Sequence, residues 1–264
     1  MIRLNPVIRA WAAYQGLWGW FNWPAYISNV FLRPGLTLVL FALIGKFALA
    51  APASQAYMIS VAVYSIPVIL LGSVGSSMVS DLRNGTLSLI LSTRANRISL
   101  YFERLLFHLP NALLTFVAAL VFAWLFFNLE LSAVNWPALL LVVLAAILSS
   151  AALSLLVATL LLVLPQGWNG MTAALWGTIF ALSGVIIPTA ALPVPFRVIS
   201  EGLPITHIMP AARLAFAGAP FGDVAAHLSS EFLVALGYAV FGCWLFLYVL
   251  NHLRRTGGLD ASHA

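Results

Sequence analysis

Long stretches of this chain carry almost no charge, and that decides which solvent it folds in. Residues 137–164 contain only Pro, Ala, Leu, Val, Ile, Ser and Thr. Five further runs, at residues 29–50, 57–79, 105–127, 171–187 and 231–250, are nearly as apolar. At roughly 17 to 28 residues each they have the length of bilayer-crossing helices, not the ten-residue alternation of barrel strands. Hydrocarbon offers the backbone no hydrogen-bond partner, so each crossing must satisfy its own amides. The expectation is an all-α polytopic membrane protein with six transmembrane helices in one domain spanning residues 1–264.

Charge confirms the solvent. The chain is 62% hydrophobic and only 7% charged, against roughly a quarter charged in soluble domains. The net charge of +5 does not point to nucleic acid, because the basic residues never cluster into a binding surface. The single cysteine, Cys243, lies inside the last apolar run and allows no disulfide within the chain. The N-terminal residues lack a compact apolar core followed by a small-residue cleavage site, so no cleavable signal is expected.

Residues 5–23 read as an amphipathic helix lying in the interface. Asn5 can cap it and Pro6 suits its first turn. Trp11, Tyr14 and Trp18 share a face with other apolar residues, while Arg9 falls elsewhere, a pattern of rings at headgroup level. Between the fifth and sixth apolar runs, residues 188–220 are interrupted by Pro188, Pro193, Pro195, Pro204, Pro210 and Pro220. This stretch is too apolar for a free loop and too broken for a crossing. A pair of short re-entrant helices in the outer leaflet is expected, with a plain extracellular loop as the competing account.

Orientation follows from the basic residues. With both termini cytoplasmic, the inner side holds Arg3, Arg9, Arg33, Arg83, Arg94, Arg97, Arg104, Arg254 and Arg255. The outer side keeps Lys46, Arg197 and Arg213, and with them Glu130, Glu201, Asp223 and Glu231. The crossings themselves are expected to hold almost no ionisable residue at mid-depth, which disfavours ion-coupled transport.

Catalytic motifs are missing. No Walker A sequence occurs, the sole lysine being followed by Phe47, and no H-E-x-x-H, C-x-x-C or G-x-S-x-G is present. His108, His207, His227, His252 and His263 are scattered, with no pair at metal-ligand spacing. No catalytic or metal site is expected, and any energy source lies on another chain or in an ion gradient.

Polar residues gather once, at 81–104: Asp81, Arg83, Arg94, Arg97, Glu103 and Arg104. Asn84-Gly85 reads as a helix stop, and residues 86–91 as a short helix along the membrane surface. Such a helix, with an apolar face and charged edges, suits a groove on a partner; a solvated loop whose arginines obey topology is the alternative.

The run acidic-x-x-x-Gly-Thr-Leu, then aliphatic residues, Ser-Thr and an arginine, resembles the permease subunits of type-2 ABC exporters. In that family this loop is the coupling helix against the nucleotide-binding subunit. The matching positions are Asp81, Gly85, Thr86 and Leu87, with Arg97, Glu103 and Arg104 further on; Arg83 and Arg94 complete the charged loop. Residues 203–213 are similar to the family's Leu-Pro-aliphatic-Thr-His…Arg segment in the outer re-entrant region, which makes Pro204, Thr206, His207, Pro210 and Arg213 an expected outer gate. Arg94 and Ser88 stand where relatives commonly have proline and glutamate.

The resemblance implies a non-catalytic transport subunit in a bacterial cytoplasmic membrane. It implies an ABC ATPase partner that carries ATP and Mg, and a second permease copy, identical or paired. The outer motif looks closer to the drug and antibiotic exporters than to the polysaccharide branch. A hydrophobic or amphipathic cargo is therefore expected, with an aromatic route suggested by Tyr64, Phe122, Trp124 and Phe126. Export of polysaccharide or lipid-linked glycan is the alternative, and a non-transporting membrane anchor a second.

Overall fold

A computed structural model describes residues 23–48, 51–92, 96–164 and 168–256. Arg9, Trp11, Tyr14 and Trp18 of the expected interfacial helix lie outside these residues, as does Arg94. Among the described residues every regular element is a helix. The chain runs through α1 (Trp23–Ile27), a π-helical turn (Ser28–Leu32) and α2 (Arg33–Ala48). It continues through α3 (Ala51–Arg83), α4 (Thr86–Ser92), α5 (Arg97–Phe127) and α6 (Trp136–Val163). Then come α7 (Trp168–Leu182), a 3-10 turn (Thr189–Ala191), α8 (Val194–Glu201), α9 (Ile208–Phe216) and α10 (Phe221–Thr256).

Four helical stretches are long and apolar enough to cross a membrane: Gln55–Arg83, Arg97–Phe127, Trp136–Val163 and Phe221–Leu253. The apolar stretches Val30–Leu43 and Thr172–Leu182 are shorter. At 16 and 15 residues, α2 and α7 rise about 22–24 Å, less than a hydrocarbon core of about 30 Å. Helix ends elsewhere overrun the apolar runs. α3 continues to Arg83, α5 begins at Arg97, and α10 starts directly after Pro220 with Asp223 in its first turn. A carboxylate there suits the positive end of the helix.

Asparagines set the limits of α5 and α6. Asn96 caps α5 by accepting from the Ile98 N–H at 3.0 Å, and Asn128 ends it in the left-handed region at φ 51°. Asn135 caps α6 by accepting from the Ala138 N–H at 3.2 Å.

α3 is the central element, packed against α2, α5 and α6, and 78% of its apolar window is buried. α6 packs between α3 and α10 through small residues, among them Ala138, Ala145, Ala146, Ser149, Ser150 and Ala158, all fully buried. Small side chains let backbones approach, the main source of helix association in lipid. Glycines on α3 serve the same end. A Cβ on Gly72 would lie 2.7 Å from Trp176 of α7, and one on Gly75 2.8 Å from Leu161 of α6. The outer faces of α5 and α10 show Leu106, Trp124, Phe126, Leu233, Val240 and Trp244, more than half exposed, as a lipid-facing surface requires.

Candidate functional site

Three places concentrate chemistry: the elbow around α4, a buried polar knot at the opposite end, and a cavity between them.

At the elbow, α3 stops where the sequence asks it to. The Asn84 N–H donates to Ser80 at 2.9 Å, the Gly85 N–H to Leu82 at 3.1 Å, and Gly85 takes φ 68°. That left-handed conformation costs glycine nothing and turns the chain into α4. Leu87 is fully buried beneath α4, while Leu89 on the opposite side is 68% exposed. Asp81 organises the junction. One carboxylate oxygen pairs with the Arg104 guanidinium at 2.6 Å, and the other accepts from the Thr86 hydroxyl at 3.2 Å. Both charged side chains are largely covered, so the pair is shielded from screening.

The ends of three long helices meet here. Asp81 belongs to α3 and Arg104 to α5, while Arg97 donates to Asn251 of α10. Within α5, the Ser99 hydroxyl donates to Glu103 at 3.0 Å. Arg83 is exposed at the end of α3. The sequence reading missed Asn251, whose only signal was an amide near the end of an apolar run.

The opposite end holds a buried knot that the sequence reading did not foresee. Glu231, expected among the outer charges at the start of a crossing, is fully buried within α10, about 15 Å along the helix from Phe221. Its carboxylate accepts from the Ile205 N–H at 2.6 Å and the His207 N–H at 3.1 Å. Ile205 is held at φ 83°, a conformation rare for a β-branched residue. His108 of α5 is also buried. Two ionisable side chains, Glu231 and His108, are thus buried within the apolar helices.

The five expected gate residues divide. Pro204 and Thr206 are buried beside Ile205, and the His207 ring lies 3.3 Å from the Glu201 carbonyl oxygen. Pro210 is exposed on α9. Arg213 reaches away from Glu231. It donates to Ser60 of α3 at 2.9 Å and to the carbonyl of Gly184, just beyond α7, at 2.6 Å.

Between the ends, a cavity of about 290 Å³ opens among α2, α3, α5 and α7. Phe41, Tyr64, Trp176 and Phe180 form its aromatic walls. Of the expected aromatic route only Tyr64 is here. Phe122 packs toward Gly35 and Phe126, and Trp124 and Phe126 face outward at 53% and 65% exposure. The structure does not bring those four residues together.

The family model for ABC-2 type transporters matches residues 11–217. The chain belongs to this family. An ABC-2 permease is the multi-pass membrane component of an ABC transporter, and the family as a whole works with an ABC ATPase. The match takes in the elbow and residues 203–213, and stops short of Glu231. A search of curated proteins gives no match to this permease.

Proposed function

We propose that this ABC-2 permease is the transport subunit of an exporter for hydrophobic or amphipathic compounds, driven by a separate ATPase that docks on α4. The Asp81–Arg104 ion pair carries this reading. It fastens the short exposed helix to both α3 and α5, so a push on α4 reaches two long helices at once. ATP and Mg bind on the ATPase chain, and Arg94 and Arg97 flank its docking surface. The permease sits in the bacterial cytoplasmic membrane with both termini inside. α2 and α7 complete six crossings beside the four long helices, and a second permease copy completes the transporter.

α3 supplies the path for force. From Asp81 to Ser60 it runs about 32 Å as one helix. At its outer end Ser60 accepts from Arg213, which also holds the Gly184 carbonyl. Motion of the elbow thus reaches the α8–α9 gate along one helix, which carries Pro67 between its two ends. The apolar cavity beside α3 favours an apolar cargo over a sugar chain.

Charge reversal at Arg94 and Arg97 tests the reading. Transport and permease-stimulated ATP turnover fall while membrane insertion is unchanged. Undiminished ATP-driven transport in that double variant would remove the docking surface.

A further inference from the structure

The cavity wall carries more information than its apolar character. Four rings surround it: Phe41 from α2, Tyr64 from α3, and Trp176 and Phe180 from α7. Phe180 lies edge-on to Phe41 at 5.0 Å and tilted to Tyr64 at 5.1 Å. None of the lining residues is ionisable as an acid or a cation at neutral pH.

Three hydroxyls of the lining point the same way. Tyr64 donates its hydroxyl proton to the Trp176 carbonyl at 2.9 Å, Ser65 donates to Ala62 at 2.6 Å, and Thr115 donates to Asn111 at 2.8 Å. Each hydroxyl has one proton and two lone pairs, so these three offer acceptors and no further donor. A ligand acceptor placed against these three would lose its water without replacement, which is costly, whereas a ligand N–H or O–H would be paired. An anion would find no counter-charge, while ring faces attract cations.

We propose that this cavity is a ligand site for planar aromatic compounds, neutral or cationic, that carry an N–H or O–H donor. The proposal rests on the exporter reading, for which it names the class of cargo. Gly177 lines the cavity and is exposed, and a Cβ added there meets nothing within 4 Å, so the first atom of a larger side chain displaces no neighbour.

The test uses the full-length permease in lipid nanodiscs, without ATPase. The probe is 1-azidoanthracene, which has the planar rings without the donor and so reads the ring walls alone, with adducts mapped by mass spectrometry; the donor is read from the competitors. The competitors are 1-aminoanthracene, the anion 8-anilinonaphthalene-1-sulfonate, and palmitoyl-lysophosphatidylcholine. Adducts are expected on Phe41, Tyr64, Trp176 or Phe180, competed by the amine and not by the sulfonate. In Gly177→Phe they fall by roughly tenfold or more, as for a pocket filled by a ring.

Thr115→Val, isosteric and without the hydroxyl, weakens competition by the amine by roughly fivefold, the worth of one neutral hydrogen bond. Its unchanged labelling by the azide would establish that the fold is kept. Equal competition by the sulfonate or the lysolipid overturns the proposal. So does labelling confined to Trp124, Phe126 and Trp244, or indifference to both substitutions. Wall labelling in a chain that supports no ATP-driven transport would sink the exporter reading and leave the site standing. Transport without wall labelling would do the reverse.

Discussion

Glu231 accepts a hydrogen bond from the main-chain N–H of Ile205 at 2.6 Å, wholly out of contact with solvent. The second oxygen holds the His207 N–H, so one carboxylate fixes both sides of Thr206. A left-handed isoleucine costs of order 1–3 kcal/mol and persists only where its surroundings hold it.

Glu231→Ala leaves two buried donors unpaired, at about 1–3 kcal/mol each. Thermal unfolding of the purified permease should therefore shift down clearly. Glu231→Gln, which keeps one acceptor oxygen, should retain part of the loss. A cysteine at Thr206 should become reactive to thiol reagents in the alanine variant only. Equal melting of all three proteins would remove the carboxylate from this role.

Glycines on α3 and α7 make a matched pair. Gly72→Ala drives a methyl group to 2.7 Å from the Trp176 ring, an overpacking that costs roughly 1–3 kcal/mol. Gly177→Ala meets no neighbour and gains helix propensity, leaving stability unchanged or up to about 1 kcal/mol higher. The two variants should therefore differ in stability by about 1–4 kcal/mol, Gly72→Ala the lower, as read from their melting curves.

The elbow ion pair can be broken and remade. Arg104→Met leaves a largely covered Asp81 without its partner, which should cost roughly 3 kcal/mol, the low end for buried pairs. The double reversal Asp81→Arg with Arg104→Asp should recover much of that stability and of the ATP-driven transport. Recovery of stability without transport would confine the pair to a folding role.

Topology is open to direct labelling. Replacing Cys243 by alanine removes the only native thiol. A cysteine at the exposed Leu89 should then react with a membrane-impermeant maleimide only from the cytoplasmic side. One at Val194, 75% exposed on α8, should react in intact cells. Reaction of both from one side would contradict the proposed orientation.

Much of the architecture could be read from local chemistry. Asn84-Gly85 announced the turn that Gly85 makes at φ 68°, and the prolines of residues 188–220 announced short helices in place of a crossing. Both are signals carried by neighbours in sequence. The burial of Glu231 was not legible because its partners lie 24 and 26 residues away, and a carboxylate near a helix start is by default assigned to water. Phe122, Trp124 and Phe126 were grouped by residue type, but ring content does not say which face of α5 turns to lipid. Residues 171–187 are the shortest of the six apolar runs, and α7 is correspondingly short. Arg97 reaching Asn251 depends on two helix ends converging, which no pattern along the chain records.

Asn135 does three things at once. Its side chain caps α6 and holds the Ala219 carbonyl at 2.8 Å, while its own N–H holds Ala215 at 2.9 Å. The head of α6, the tail of α9 and the approach to α10 are thereby riveted at a single amide. A tug on α9 cannot be absorbed by slack in the linking turns. Parting the short helices from α6 would break this amide's hold on α9 and on the approach to α10 together, so the three move as a unit or leave it unpaired.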